Sequence, residues 1–206
     1  VAHHAAGFTN SELPEYAVLA ALAPTLADPI AAAFAATEFA MRDAAMQARF
    51  KSLGIVFGGG YGMPVQTLLC RKPVRTRADL ATLKVRSGNA IRRGWAASIG
   101  GVAVTIPLGE VRSGLEKGLL DCVVGDGESF TAMGLIPIAR NLVEIHLGSE
   151  ISGWQYALNR PFWRKLAPGH RRLLLDTMGE QVAATTLAHL DAVERVRKTF
   201  GNIPLQ

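Results

Sequence analysis

The chain has 206 residues, of which 49% are hydrophobic, and a formal net charge of +5 at pH 7. This length allows one large domain or two small ones with a sizeable hydrophobic core. The basic residues are scattered along the sequence without interleaved aromatic residues, which argues against a nucleic-acid-binding protein and leaves a modest preference for anionic ligands.

The most apolar window, residues 16–36, contains Asp28 and two prolines. A bilayer-spanning helix needs about 20 uninterrupted apolar residues, so we expect a soluble chain without membrane insertion. The opening residues VAHHAAGFTN lack the basic and apolar regions of a signal peptide and contain no initiator Met. We therefore expect that a leader has been removed or that the beginning of the protein is absent.

Cys70 and Cys122 each lie in an apolar run. This setting favours buried, inert thiols, and the sequence leaves a disulfide between them open. The sequence contains no CxxC, no HExxH and no histidine cluster with metal-ligand spacing. We therefore expect neither a metal site nor a cofactor.

The first fifty residues have a helical pattern. A first helix is interrupted at Pro24, and a second begins after Asp28, with proline at the first helical position, and continues to a C-terminal Gly54. A short strand at 54–58 follows. It is predicted to end in a glycine-rich loop at 58–62.

The middle of the chain alternates short apolar runs with amphipathic segments. After a strand within 63–74, the pattern predicts parallel strands at 83–87, 102–106 and 119–124, with a helix in each connection. Further strands are predicted at 142–148 and 152–159. A short helix and a long helix, from Pro168 to about Phe200, close the chain.

Ligands of such sheets bind outside the carboxyl ends of the strands. Arg86, Gly125 and Asp126 occupy such ends in the predicted sheet, as does the glycine-rich loop at 58–62. Their position alone makes these residues candidates for a binding site.

Residues 71–126 carry a recognisable pattern, formed by Pro73, Thr76, Asp79, Leu80, Leu83, Lys84, Arg86, Gly100, Val104, Pro107, Glu110, Val111, Leu115, Gly118 and Asp121. This pattern resembles that of the solute-binding proteins of tripartite ATP-independent periplasmic (TRAP) transporters, of the dicarboxylate-binding type. Residues 156–176, YALNRPFWRKLAPGHRRLLLD, are similar to a later strand and helix of the family.

The resemblance implies an α/β, two-lobed periplasmic-binding-protein-like fold with parallel or mixed sheets and a long C-terminal helix. Residues 1–70 would be the remainder of a first lobe whose opening part is missing, mostly helical with the strand at 54–58. Residues 71–147 would form the second lobe around the β-α-β-α-β unit. Residues 148–206 would supply a crossover strand and a long helix spanning both lobes.

The resemblance also implies that Arg86 binds the ligand's carboxylate. A guanidinium suits this role because its planar fork binds a carboxylate through two hydrogen bonds and stays charged when desolvated. The alternative is a purely structural ion pair. The chain departs from the family pattern at Val65, Leu108 and Gly125, where many members have an arginine, an aromatic residue and an asparagine, so we expect a monocarboxylate or a larger, more apolar acid.

Besides Gly125, already a candidate by position, substitutes for the altered family contacts could be Tyr61, Gln66, Ser87, Asn89, Asp126, Glu128 and Trp154. Each has a structural alternative. The rings of Tyr61 and Trp154 could be core residues. Asp126 and Glu128 could instead cap the helix that follows them.

The function implied by the resemblance is that of a non-catalytic periplasmic protein. It would capture a small organic carboxylate between two lobes and deliver it to TRAP membrane subunits, without nucleic-acid partners. One alternative is the ligand-sensing domain of a signalling protein. Another is a hydrolase using Cys122 with His146, although Cys122 lies within a predicted strand and no nucleophile motif follows a strand.

Overall fold

The computed structural model describes residues 2–5, 11–21, 28–88, 90–145 and 154–200. The strands in chain order are β1 Ala2–Ala5, β2 Ile55–Tyr61, β3 Thr67–Cys70, β4 Lys84–Arg86, β5 Val102–Val104, β6 Cys122–Gly125, β7 Asn141–Val143 and β8 Trp154–Asn159. The α-helices are α1 Pro14–Ala21, α2 Pro29–Arg42, α3 Ala44–Ser52, α4 Arg77–Leu80, α5 Ala90–Ser98, α6 Val111–Glu116, α7 Gly127–Ala132, α8 Arg160–Lys165 and α9 Pro168–Phe200.

The chain divides into two compact units. The first unit comprises Val1–Pro64 and Gly148–Ala188, and the second comprises Val65–Leu147 and His189–Gln206. Among the described residues, none of the helices is both long and apolar enough to span a bilayer.

The helices of the first unit begin at side-chain caps. The Asp28 carboxylate accepts hydrogen bonds from the backbone N–H groups of Ile30 and Ala31, and Pro29 occupies the first turn of α2, as the sequence predicted. The predicted continuous helix to Gly54 is wrong. Asp43 adopts an extended conformation and caps α3 through the N–H of Met46, so it divides the segment into α2 and α3.

The sheet of the first unit has the order β1-β8-β2, with both strand pairs antiparallel. The predicted loop at 58–62 is mostly strand, because β2 continues to Tyr61. Glycine is needed at two positions inside it: a Cβ on Gly58 would lie 2.4 Å from the Met178 sulfur, and Gly59 has a φ of +116° at an irregularity in the pairing. These glycines therefore serve close packing within the sheet.

The sheet of the second unit has the order β5-β4-β6-β3-β7. Strand β4 is parallel to both β5 and β6, which confirms the predicted β-α-β-α-β arrangement. Strand β3 lies antiparallel between β6 and β7, so the whole sheet is mixed. The predicted α/β class with mixed sheets is confirmed.

Both faces of this sheet are buried. One face contributes Leu69, Val123 and Leu142 to a core that includes Phe130 of α7 and Val196 of α9. The other contributes Leu68, Cys70, Val85, Cys122, Val124 and Val143 to a core with Val74, Leu80 and Ala96. Side chains alternate between the two faces along each strand.

A disulfide joins Cys70 to Cys122. The two residues are directly opposite each other on the antiparallel strands β3 and β6, and both are fully buried. The expectation of two inert thiols is therefore wrong: strand pairing brings together two cysteines that lie 52 residues apart in the sequence.

The predicted long C-terminal helix is confirmed. Helix α9 runs without a break from Pro168 to Phe200 and contributes Met178 to the core of the first unit and Val196 to that of the second. The short α8 precedes it, capped by the Asn159 side chain, which accepts a hydrogen bond from the N–H of Phe162.

Candidate functional site

Arg86 is the last residue of β4 and is only 6% exposed. It pairs with Val104 of β5 on one side and with Val123 of β6 on the other, so its Cα lies at the carboxyl end of a strand in the interior of the sheet. Its guanidinium lies against the backbone of Gly88, where a Cβ would be 2.9 Å from Nη1. A side chain at position 88 would therefore require the Arg86 guanidinium to shift from its present place.

Ser87 continues from Arg86 and is completely buried. Its N–H donates to the carbonyl of Val104 at 2.9 Å, and its hydroxyl lies 3.3 Å from the carbonyl of Val85 and 3.4 Å from that of Arg92. These bonds hold the turn after β4. The serine hydroxyl thus has protein acceptors of its own.

Gln66 and Arg92 form a second polar group in the same unit. Arg92 donates from Nη2 to the Gln66 side-chain oxygen at 2.8 Å, and Gln66 donates from Nε2 to the Asp126 carboxylate at 3.4 Å. Gln66 is 3% exposed, so a buried amide is held at both ends. Sequence reasoning missed Arg92, although it lies on the helix that directly follows the turn after Arg86.

Asp126 is the N-cap of α7. Its carboxylate accepts hydrogen bonds from the N–H groups of Glu128 and Ser129 at 3.0 and 3.2 Å and from the Ser129 hydroxyl at 2.9 Å. The ring Nδ1 of His189 lies 3.3 Å away. Burial by itself would raise the pKa of the Asp126 carboxyl, but the hydrogen bond and charge of His189, with the two Ser129 bonds, lower it below its usual value.

Gly125 and Glu128, the two other candidates next to Asp126, have different roles. Gly125 ends β6, and a Cβ there would lie 2.8 Å from the Phe130 ring, so the ring occupies the space of a side chain. Glu128 is half-buried in the first turn of α7, where a carboxylate interacts favourably with the helix dipole. The capping alternative thus holds for Asp126, and the position of Glu128 agrees with a structural role.

Tyr61 belongs to the first unit, where it is 3% exposed and its ring centroid lies 6.0 Å from that of Tyr156. Trp154 pairs with Tyr61 across β8 and β2, but its side chain lies outside the described residues, as does all of Asn89. Tyr61 is therefore a packed aromatic residue within its own unit.

The first unit also has a pocket, lined by Ile30, Ala33, Phe34, Val182, Ala183, Thr186 and Leu187. The lining is apolar apart from the Thr186 hydroxyl, which accepts from the N–H of Gly62 and donates to the carbonyl of Val182. A lining without charge offers no partner for a carboxylate. The strongest candidate for an anion site is therefore in the second unit.

We call the group Gln66, Arg86, Ser87, Arg92, Gly125 and Asp126 the polar edge. Strands β4 and β6 end there and the antiparallel β3 begins there, so the sheet itself brings these residues together. The polar edge contains the guanidinium groups of Arg86 and Arg92 and the carboxylate of Asp126, which caps α7. Two cations beside one carboxylate make this edge the candidate anion site among the described residues.

The residues of the proposed hydrolase do not form a nucleophilic pair. Cys122 is bonded to Cys70, so it has no thiolate to attack a substrate. His146 lies outside the described residues.

Solved structures with the same fold include several solute-binding proteins. A TRAP periplasmic solute-binding protein of Bradyrhizobium sp. BTAi1, in complex with galacturonate, is 18% identical to this chain. The TM-score is 0.75, and the match covers 98% of this chain and 68% of that protein. An extracytoplasmic solute receptor of Bordetella pertussis that binds pyroglutamic acid is 19% identical to this chain. The TM-score is 0.78, and the match covers 98% of this chain and 67% of that receptor.

A TRAP periplasmic solute-binding protein of Desulfovibrio salexigens with bound orotic acid is 23% identical, with a TM-score of 0.73, and the match covers 99% of this chain and 66% of that protein. The chain thus spans about two thirds of the length of these proteins. No curated protein matches the chain in sequence. The profile of the bacterial extracellular solute-binding proteins of family 7 matches residues 30–200, and the chain belongs to this family.

Proposed function

We propose that this chain captures a small organic carboxylate, with Arg86 as the partner of the ligand's carboxyl group, and delivers it to the membrane subunits of a TRAP-type transporter. The observation that supports this most directly is a nearly buried guanidinium at the carboxyl end of a central parallel strand. Burial strengthens the attraction between a guanidinium and a carboxylate because it removes competing water.

The ligands of the related structures support this class of solute. Galacturonate, pyroglutamic acid and orotic acid are bound by proteins of the same fold. Each of these acids carries one carboxyl group on a compact ring, and their remaining polar groups differ. One cation that binds the shared carboxyl group, surrounded by residues that differ between proteins, would accommodate all three acids. We propose the same arrangement for this chain.

In this proposal the protein binds and releases its solute without altering it chemically. Family membership supports this, since the matched family consists of solute-binding proteins. The engagement of Cys122 in a disulfide supports it further, because that engagement removes the one nucleophile that the sequence suggested.

We place the protein in the periplasm. The Cys70–Cys122 disulfide supports this, because disulfides persist in oxidising compartments such as the bacterial periplasm and are rare in the cytosol. Membership in an extracellular solute-binding family points to the same compartment and to membrane subunits as partners.

Calorimetric titration tests the proposal. Galacturonate, pyroglutamate, orotate and simple aliphatic acids would each be titrated into the protein, with the methyl ester of each acid as its matched control. Because esterification removes the charge and leaves the rest of the molecule, at least one free acid should bind and its ester should not. Equal binding of an acid and its ester would contradict a carboxylate partner at Arg86. Turnover of any bound acid would contradict the non-catalytic function.

A further inference from the structure

The second unit has a second charged edge, at the strand ends opposite Arg86. Strand β3 ends there at Cys70 and is followed by Arg71 and Lys72, while Lys84 opens β4 and Lys117 lies in the turn before β6. Because β3 is antiparallel to β6 and β4 is parallel to it, the end of β3 and the beginnings of β4 and β6 meet at one edge. Basic residues that are far apart in the sequence thus become neighbours.

Direct contacts bring the side chains of Arg71 and Lys84 to the same turn. The Lys84 ammonium donates to the carbonyl of Gly118, and the Arg71 Nη1 would lie 3.0 Å from a Cβ at Gly118. The backbone carbonyl of Asp121 accepts from the N–H of Arg71 at 2.9 Å, and its carboxylate accepts from the N–H of Lys84 at 2.9 Å. The turn around Gly118 therefore gathers cations from three segments.

We call Arg71, Lys72, Lys84 and Lys117, together with Arg75 and Arg77 from the segment that follows Lys72, the basic edge. All are exposed except Lys84, which is half-buried. Three carboxylates lie in the same segments: Asp79 and Asp121 bind backbone N–H groups, and Glu116 is paired with Arg112. The backbone N–H groups of Arg75 and Thr76, and then the charge of Arg75, lower the pKa of the Asp79 carboxyl. In the part of the chain that the structure describes, no carboxylate lies within ion-pair distance of these six residues, whereas Arg42, Arg112 and Arg197 elsewhere are paired. Six cations against three carboxylates leave an excess of positive charge at this edge.

Two large apolar side chains are exposed beside these cations. Leu119, two residues after Lys117, is 58% exposed, and Val102, which pairs with Lys84 across β5 and β4, is 50% exposed. Exposed cations alone are common on protein surfaces. Cations combined with protruding apolar side chains are the composition that interfacial membrane binding requires.

We infer that the basic edge, with Leu119 and Val102, is a docking surface for the anionic phospholipid headgroups of a bilayer. The cations would contact the headgroup phosphates, and the two apolar side chains would enter the interface between headgroups and acyl chains. None of the residues that form this surface is aromatic, so it lacks the stacking platforms that single-stranded nucleic acids use. This surface is independent of the proposed solute site, which lies at the other ends of the same strands.

Co-sedimentation with vesicles tests this inference. The protein is mixed at low ionic strength with vesicles of phosphatidylcholine alone or of phosphatidylcholine with phosphatidylglycerol. We expect binding to the anionic vesicles only, weakened by added salt because screening shortens the range of the attraction. In the triple variant Lys72→Gln, Arg75→Gln, Lys117→Gln, the partition coefficient should fall roughly a hundredfold, since each cation near an anionic surface contributes several-fold.

The matched control is the triple variant Lys165→Gln, Arg172→Gln, Lys198→Gln, which removes the same charge from exposed positions elsewhere. It should retain most of the binding. Equal loss in both triple variants would overturn the inference, because it would show a general effect of net charge. Absence of wild-type binding to anionic vesicles would overturn it too.

Two single variants test the apolar contact and the independence of the solute site. Leu119→Ser should weaken vesicle binding several-fold without changing its salt dependence, because it removes apolar contact and no charge; unchanged binding would contradict insertion of this residue. Arg86→Ala should leave vesicle binding unchanged. If Arg86→Ala weakens solute binding but not vesicle binding, the solute site and the docking surface are independent of each other.

Discussion

The ring nitrogen Nδ1 of His189 lies 3.3 Å from the carboxylate of Asp126, the residue that caps α7. The same carboxylate accepts a hydrogen bond from Gln66, which in turn accepts one from Arg92. A continuous polar chain therefore connects the beginning of β3, the N-terminal turn of α7 and the first residue of α9 that belongs to the second unit. It supports one side of the polar edge without involving Arg86 in any of these bonds.

Replacement of Arg86 should abolish most of the affinity for the solute. Truncating one partner of a buried charge pair costs about 2–5 kcal/mol, so Arg86→Ala should weaken binding roughly thirtyfold or more. Arg86→Lys keeps the charge but loses the planar fork, and we expect it to weaken binding as well. Calorimetric titration of the acid identified as ligand measures both. Arg93→Ala, at an exposed position on α5, is the control, and an unchanged affinity in Arg86→Ala would assign this residue to a structural ion pair.

Asp126 should make the protein less stable at acid pH. Because its pKa is lower in the folded protein than in the unfolded chain, its stabilising contribution is fully present above the unfolded value of about 3.9. That contribution is lost as the pH falls through the folded pKa. Asp126→Asn should lower the free energy of unfolding at neutral pH by about 1–3 kcal/mol, as expected for hydrogen bonds to a charged group.

Urea unfolding at a series of pH values measures this effect. The stability difference between wild type and Asp126→Asn should shrink as the pH drops below about 4, because the unfolded chain takes up a proton there first and the folded carboxylate does so at a lower pH. Asp28→Asn, which changes the exposed N-cap of α2 in the same way, should have a much smaller effect at every pH. A constant difference between wild type and Asp126→Asn from neutral to strongly acid pH would refute the prediction.

The disulfide should contribute substantially to stability. Closing a loop between residues 52 positions apart restricts the unfolded chain, an effect that typically stabilises a protein by about 2–4 kcal/mol. The double variant Cys70→Ala, Cys122→Ala should therefore unfold at a lower temperature than wild type. A reducing agent strong enough to open the buried bond should lower the wild-type melting temperature and leave that of the double variant unchanged. Identical melting temperatures of both proteins under oxidising conditions would contradict this prediction.

Close packing between α7 and α9 should make Gly127 intolerant of a side chain. A Cβ at this position would lie 2.4 Å from the backbone carbonyl oxygen of Ala192, so backbone would have to move. Gly127→Ala should destabilise the protein by about 1–3 kcal/mol, the range typical of overpacking. Gly179→Ala is the matched control within α9: apart from its chain neighbours and the backbone of its own helix, no atom of the described residues lies within 4 Å of its Cβ position, and alanine should stabilise the helix by up to about 1 kcal/mol.

Chemical denaturation of both glycine variants distinguishes these effects. Opposite changes in the free energy of unfolding are expected, since both variants add the same methyl group in different surroundings. A destabilisation of equal size in both variants would show that helix geometry, and not the contact with Ala192, determines the response.

Local signals in the sequence determined much of the secondary structure. Asp28 followed by Pro29 predicted the start of α2, because both residues act on the first turn of their own helix. Alternating apolar runs and amphipathic segments predicted that β4 is parallel to β5 and β6, since short helical connections leave few other ways to bury both faces. The position of Arg86 at a strand end followed from the same pattern.

Tertiary structure alone decided the features that depend on strand order. The position of β3 between β6 and β7 aligns Cys70 with Cys122 and sets Gln66 close enough to Asp126 and Arg92 for hydrogen bonds. The same strand order gathers scattered basic residues into the basic edge around Gly118. These contacts join residues far apart in the sequence, and their geometry depends on long-range strand pairing, whereas caps and periodic patterns act within a few residues of one chain segment.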